Sequence, residues 1–262
     1  MNFMPFSHKN GIRYFSFDIF PRTLMQAVFT RQGGVSPSPW DSLNVGGTVG
    51  DDVEHVRENR ARSFSALGRN LESLFDVWQV HSADVVYADA PRPIHEDHHK
   101  ADIILTDKPE VTLYMRFADC VPILLHDPKK NVVAIAHAGW MGTVRGASSA
   151  AVRAMREKYG SKPKDILAAI GPSIGVDHYE VGQDVISQVE QAFGADAKRL
   201  IESRDDKTYL DLWAANRIQL EKSGVEQIEV AGICTACHLD DWFSHRAEKG
   251  KTGRFGALIA LI

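Results

Sequence analysis

His81, Cys120 and His137 carry side chains that ligate borderline or soft metals, and each sits beside a run of strand-forming residues. The segments are Trp78-Gln79-Val80-His81, Ala118-Asp119-Cys120 and Ala136-His137-Ala138-Gly139-Trp140. Their spacing is far too long for a compact finger, so only a fold can bring the three together. Taken singly, each has a plain reading: an isolated cysteine packs as a small core residue, and a strand-end histidine is hydrogen-bonded or exposed. Taken together, two imidazoles and a thiolate suit zinc. Three protein ligands leave a fourth position for water or substrate, the pattern of a catalytic rather than a structural site.

Other clusters carry less. Cys234-Thr235-Ala236-Cys237-His238 matches the string for covalent haem attachment, a lone zinc knuckle or a redox pair. Haem attachment needs an exported protein, a knuckle needs a second ligand pair, and the redox motif opens a helix in a small βαβ fold, so packing or support is expected. His95, His98 and His99 lie between Pro91, Pro93 and Lys100 and read as a solvated loop. Thr30-Arg31-Gln32-Gly33-Gly34 follows a strand; it offers an anion a guanidinium and backbone N–H groups, or is a tight turn with a surface arginine. Leu43-Asn44-Val45-Gly46-Gly47 is a second such turn. Ser244-His245-Arg246 and Thr252-Gly253-Arg254 add two arginines near the C-terminus. Asp119 is either a partner or proton donor beside Cys120, or a turn residue.

The elements that must position these groups are mostly strands. Runs rich in β-branched and aromatic residues predict strands over 26–30, 75–80, 84–87, 111–117, 122–125, 132–136, 166–170, 226–233 and 255–262. Helices are predicted over 52–67, capped by Asp51 or Asp52, from Gly139 to Lys158, over 183–193 and over 210–223. Strands outnumber helices and several follow one another too closely for a helical crossover, which favours an α+β fold.

Bulk properties narrow the function. The chain has 262 residues, 44% hydrophobic, and no linker, repeat or low-complexity tract, so one domain over 1–262 is expected. The net charge of -4, with basic residues scattered along the chain, excludes a cationic stripe for nucleic acid. No apolar stretch reaches the ~20 residues of a membrane span, and the N-terminal residues lack the apolar core of a leader. Three cysteines point to a reducing compartment, and the cytoplasm is expected.

In order along the chain, TRQGGVS, LNVGG, GDD, QVH, ADIILT, FADCVP, AHAGW, IGPSI with YEV, FSHR and TGR resemble the purine nucleoside phosphorylase family once described as multicopper polyphenol oxidases or laccases. The resemblance implies a single α+β domain of mixed sheets flanked by helices, a cysteine-hydrolase-like α/β sandwich. It also implies a catalytic metal, zinc before copper, on His81, Cys120 and His137. The implied activity is phosphorolysis of adenosine, inosine and methylthioadenosine, with adenosine deamination as a further activity. Asp119 joins the triad on the catalytic side. Arg31, Asn44 and Arg246 are assigned to substrate, the arginines facing the phosphate dianion. The partners are then a nucleoside and phosphate, and the protein a monomer or weak homo-oligomer.

Two positions depart from that family's pattern: Met141 stands where HAGWRG has its arginine, and Ser82 where glycine often follows QVH. Three other readings stay open. Cys120 and His137 could act as nucleophile and base of a metal-free cysteine hydrolase. A copper centre could oxidise phenols, though a laccase needs many more His and Cys ligands than the motifs here supply. The site could also bind nucleosides without turnover.

Overall fold

Apolar runs such as Val121–Asp127 and Val132–Ala138 have no face to offer solvent, and both are buried end to end as paired strands. The computed structural model describes residues 6–93 and 95–262; residues 1–5, at the head of the stretch read for a leader, lie outside the described residues. The first half runs β1 (Phe6–Lys9), β2 (Ile12–Phe15), β3 (Leu24–Phe29), α1 (Val53–Ala66), β4 (Leu74–Phe75), β5 (Val85–Tyr87), β6 (Ile103–Thr106), β7 (Thr112–Phe117), β8 (Val121–Asp127) and β9 (Val132–Ala138). The second half runs α2 (Trp140–Val144), α3 (Ala147–Tyr159), β10 (Leu167–Ile170), α4 (Gln183–Phe193), β11 (Ile201–Arg204), β12 (Lys207–Leu210), α5 (Leu212–Lys222), β13 (Gln227–Val230) and β14 (Phe255–Leu261).

Among the described residues, two mixed sheets of six strands form, in the orders β1-β2-β3-β14-β7-β4 and β13-β10-β8-β9-β6-β5, and β11 with β12 makes a separate hairpin. The sheets face each other across one core, where Val28, Leu113, Met115 and Ile259 meet Ile104, Leu124 and Ile135. On the far side of the second sheet, Met155, Val189 and Ile218 of three helices cover Ile103, Ile123 and Ala134. On the far side of the first, Phe64 of α1 packs on Tyr114 at 5.4 Å between ring centroids. The result is helix, sheet, sheet, helix, a mixed α/β sandwich with its elements held by burial worth about 1.5–3 kcal/mol per large apolar side chain. Among the described residues, no helix is long and apolar enough to cross a membrane.

Three expectations need correction. The helix expected from Gly139 to Lys158 is two helices, because Gly146 takes φ 81° and breaks the backbone between α2 and α3. The strand expected over 75–80 stops at Phe75; beyond it the chain leaves the first sheet, and its polar groups turn to single partners such as Trp78 N–H to the His99 carbonyl. The strand expected over 226–233 is trimmed to Gln227–Val230. The cap of α1 is Asp52, which accepts from the Glu54 N–H at 2.8 Å, an interaction worth about 1 kcal/mol.

Candidate metal centre

Both of the short passages that carry the chain from the first sheet to the second bear a ligand. Between β7 and β8, Ala118-Asp119-Cys120 makes the crossing, with Asp119 at φ 80° turning the chain and leaving Cys120 at the rim between the sheets. Aspartate tolerates this left-handed backbone better than most residues. Between β4 and β5, the longer passage sets His81 at φ 60° on the same rim. β9 returns antiparallel to β8, pairing His137 with Pro122 and so ending beside Cys120. The donor atoms of His81, Cys120 and His137 all lie within 4.8 Å of one another. Sγ of Cys120 is 3.8 Å from Nε2 of His81, and the two imidazole centroids are 4.9 Å apart.

Gly139 makes this convergence possible. A Cβ there would fall 2.8 Å from Sγ of Cys120 and 3.0 Å from Cδ2 of His81, inside the space the ligands occupy. The glycine of the HAGW segment is therefore a matter of volume, since its φ of -70° suits any residue.

A residue that sequence reasoning passed over ties the site together. Asp102, fully buried one residue before β6, holds one carboxylate oxygen 2.8 Å from Nδ1 of His137, which must then donate, so that Nε2 is the nitrogen turned to a ligand. Its other oxygen accepts from Val80 N–H, Ser82 N–H and the Ser82 hydroxyl at 3.1, 2.6 and 3.0 Å. The serine in place of glycine after QVH thus adds a donor to the same carboxylate. Burial opposes the Asp102 charge, but His137 and the N–H donors hold its pKa below the usual carboxylate range. The signal available in sequence was the acidic residue second in ADIILT, but an isolated aspartate before a strand reads equally as a turn.

The ligands also shift one another. Burial alone would raise the Cys120 thiol and lower the His137 imidazole; the opposite charges reverse both, drawing Cys120 down to about 6 and His137 up to about 9. The two charges favour a thiolate facing a protonated imidazole, and a metal ion bound here would displace the Nε2 proton of His137. Around it opens a cleft walled by Asp119, Trp140, Met141, Ile174, Tyr179 and Leu212.

The other residues singled out in the sequence divide. Asp119 lines the cleft, its carboxylate accepting from Thr235 Oγ1 and from Arg246 N–H, both at 2.7 Å. The Arg246 guanidinium lies over the Tyr179 ring at 5.1 Å and donates to the Glu180 carbonyl at 2.8 Å. Arg254 is close enough for its charge to act on Cys120 and Asp119. Arg31 is not brought into this cleft: it lines a separate, open pocket with Asp41, Leu239 and Asp240, and is engaged by the Asp41 and Leu239 carbonyls and by Glu248. Asn44 is fully buried as a brace, accepting from Gly46 and Arg254 N–H and donating to Asp51. Its reach is spent on the fold. His98 turns to Asp76 at 3.2 Å.

Known proteins share the sequence and the fold of this chain. Residues 25–262 match the family described as multi-copper polyphenol oxidoreductase laccase. A protein of Deinococcus radiodurans named purine nucleoside phosphorylase is 40% identical over 235 residues, 90% of this chain and 88% of that one. Purine nucleoside phosphorylase YlmD of Bacillus subtilis is 38% identical over 241 residues, 88% of this chain and 86% of its own. The crystal structure of the Bacillus licheniformis hypothetical protein YfiH superposes with a TM-score of 0.92 at 32% identity, covering 99% of this chain and 100% of that one.

Proposed function

This chain belongs to the multi-copper polyphenol oxidoreductase laccase family, and we propose that it cleaves purine nucleosides with inorganic phosphate at the His81, Cys120 and His137 centre. Adenosine, inosine and methylthioadenosine are the substrates assigned, giving the free base and ribose 1-phosphate or its methylthio analogue, with adenosine deamination at the same cleft. Residues 1–262 act as one catalytic domain. The names carried by its relatives support the reaction class. The observation that carries the site is the convergence of one thiolate and two imidazoles within 4.8 Å beside a largely apolar wall.

His81, Cys120 and His137 would hold the metal. Zinc fits the donor set, being borderline-soft and content with mixed N and S ligands. When bound it supplies Lewis-acid polarisation. Copper accepts the same donors, but oxidation of phenols needs several coppers, and three donors hold one ion.

The chain's own residues do the rest. Asp102 fixes a proton of His137 at Nδ1 and keeps its ring against that of His81. Trp140, Met141, Ile174, Tyr179 and Leu212 offer a purine an apolar and aromatic surface that excludes water. The Arg246 guanidinium over Tyr179 and the Arg254 charge near Asp119 would meet the phosphate that attacks C1′. Asp119, anchored by Thr235 and Arg246, stands beside Cys120 as the carboxylate able to take a proton from the attacking dihydrogen phosphate and relay it to the departing base. Met141 puts a thioether on the cleft wall at the position where the family pattern has an arginine, so phosphate binding rests on the remaining cations.

A second reading draws on one observation, the line from Asp102 through His137 to Cys120 with its lowered thiol, which is the arrangement of a cysteine hydrolase. Incubation of the purified protein with inosine and phosphate separates the two. Hypoxanthine and ribose 1-phosphate, formed in proportion to bound zinc and absent with Cys120→Ala, support phosphorolysis. Full activity in metal-free protein, lost on alkylation of Cys120, supports the hydrolase.

A further inference from the structure

The Cys234 and Cys237 thiols, set aside in the sequence for want of a second ligand pair, meet one in the fold. The turn after Gly175 brings Asp177 and His178 against them, and the donor atoms of all four residues lie within 4.8 Å of one another. Nδ1 of His178 is 3.8 Å from Sγ of Cys234 and 3.5 Å from Sγ of Cys237. Oδ2 of Asp177 is 3.0 Å from both Sγ of Cys237 and Nδ1 of His178. With zinc bonds of roughly 2.0–2.3 Å, donors at the corners of a tetrahedron stand about 3.3–3.8 Å apart, close to the 3.0–3.8 Å that separate His178 from its three neighbours and Asp177 from Cys237. Cys234 is buried and its sulfur accepts the Gly175 N–H at 3.2 Å, which orients it toward the other three donors.

We propose that Asp177, His178, Cys234 and Cys237 form a second metal site, a closed four-ligand structural zinc that shares no residue with the triad. Four protein ligands leave no position for substrate, which marks a staple and not a reaction centre. What it would staple is the wall of the cleft. Tyr179 follows His178 and lines the cleft; Thr235 follows Cys234 and donates to Asp119. Ile174, one residue before Gly175, donates its N–H to the Asp119 carbonyl at 3.0 Å. Zinc across the two turns fixes the groups that hold Asp119 and Tyr179 in place.

The test measures zinc per chain in full-length protein dialysed against zinc and then buffer, for the wild type and for Cys120→Ala, Cys237→Ser, His178→Ala and the Cys120→Ala/Cys237→Ser pair. Cys237 and His178 are both exposed, so their replacement leaves the core intact. Cys120→Ala protein is expected to retain about one equivalent, which Cys237→Ser and His178→Ala each remove. In the Cys120→Ala background, zinc is expected to slow iodoacetamide labelling of Cys234 and Cys237 at least tenfold. A Cys120→Ala protein that holds no zinc, and whose two thiols label equally fast with and without it, overturns the proposal. So does a Cys234–Cys237 disulfide in protein purified under reductant. Zinc that survives Cys120→Ala but not Cys237→Ser upholds this site even if the triad proves metal-free.

Discussion

Asp102 and His137 are joined by a 2.8 Å contact between a carboxylate oxygen and Nδ1, and the second oxygen of the same carboxylate holds the backbone on either side of His81 through Val80 and Ser82. One buried acid therefore sets the orientation of one ligand and the position of another. In Asp102→Asn, an amide N–H would confront donors on one side or the other. Zinc affinity and turnover are expected to fall about 10- to 100-fold, with the far-ultraviolet circular dichroism unchanged. Unaltered zinc affinity, read by competition with a chelating dye, would contradict the role given to Asp102.

Gly139→Ala should damage the site without damaging the fold. The new methyl would sit 2.8 Å from Sγ of Cys120 while the backbone, at φ -70°, accepts alanine freely. Displacing the ligands by about 1 Å lowers turnover on the order of 100-fold, and the melting temperature should stay close to that of the wild type. Wild-type kinetics in this variant would show that the ligand cluster is not where the reaction occurs.

Met141 is exchanged most informatively for arginine. The position faces the cleft, so Met141→Arg adds a guanidinium to the wall beside the proposed phosphate site. The KM for phosphate should drop about tenfold, the worth of one charge-assisted hydrogen bond, while the nucleoside KM changes little. An unchanged KM for phosphate would remove phosphate from this part of the cleft.

Away from the chemistry, Asp76 anchors the passage between the sheets. Its buried carboxylate meets Arg92 and Arg116 at 2.8 Å and His98 at 3.2 Å. Burial works against its charge, yet His98 and Arg116 hold its pKa well below the usual carboxylate range. A carboxylate depressed in the folded state contributes stability that is present above its unfolded value and is lost as pH falls below that value. Asp76→Asn is therefore expected to cost about 3–5 kcal/mol at pH 7, and the gap from wild type should narrow as the pH is lowered through the ordinary carboxylate range. Urea unfolding across pH would show it, and a gap that widens on acidification would refute it.

What could be read in advance followed from the reach of each signal. The candidate ligands stand out in the sequence because histidine and cysteine beside strand runs are chemically conspicuous, and α4 was legible because its apolar period is regular. Asp102 was not, since its meaning lies in the register that sets Ile103 opposite Ala136 and so brings Asp102 beside His137. The hairpin of β1 and β2 was passed over although Asn10 and Gly11, at φ 54° and 78°, are a strong turn signal. β6 was overlooked because four residues of apolar sequence carry no period of their own. Arg31 and Asn44 looked like ligand groups in glycine turns, and only the tertiary partners show that carbonyls, Glu248 and Asp51 occupy them.

The decisive measurement is chromatography of adenosine, inosine and methylthioadenosine incubated with zinc-loaded wild type and Cys120→Ala protein, with and without phosphate. Phosphate-dependent release of adenine, hypoxanthine and methylthioribose 1-phosphate by the wild type, with inosine from adenosine as a phosphate-independent product and none of these from Cys120→Ala, is the expected result. Equal product from both proteins, or none from either while nucleosides bind, would contradict a reaction centred on His81, Cys120 and His137.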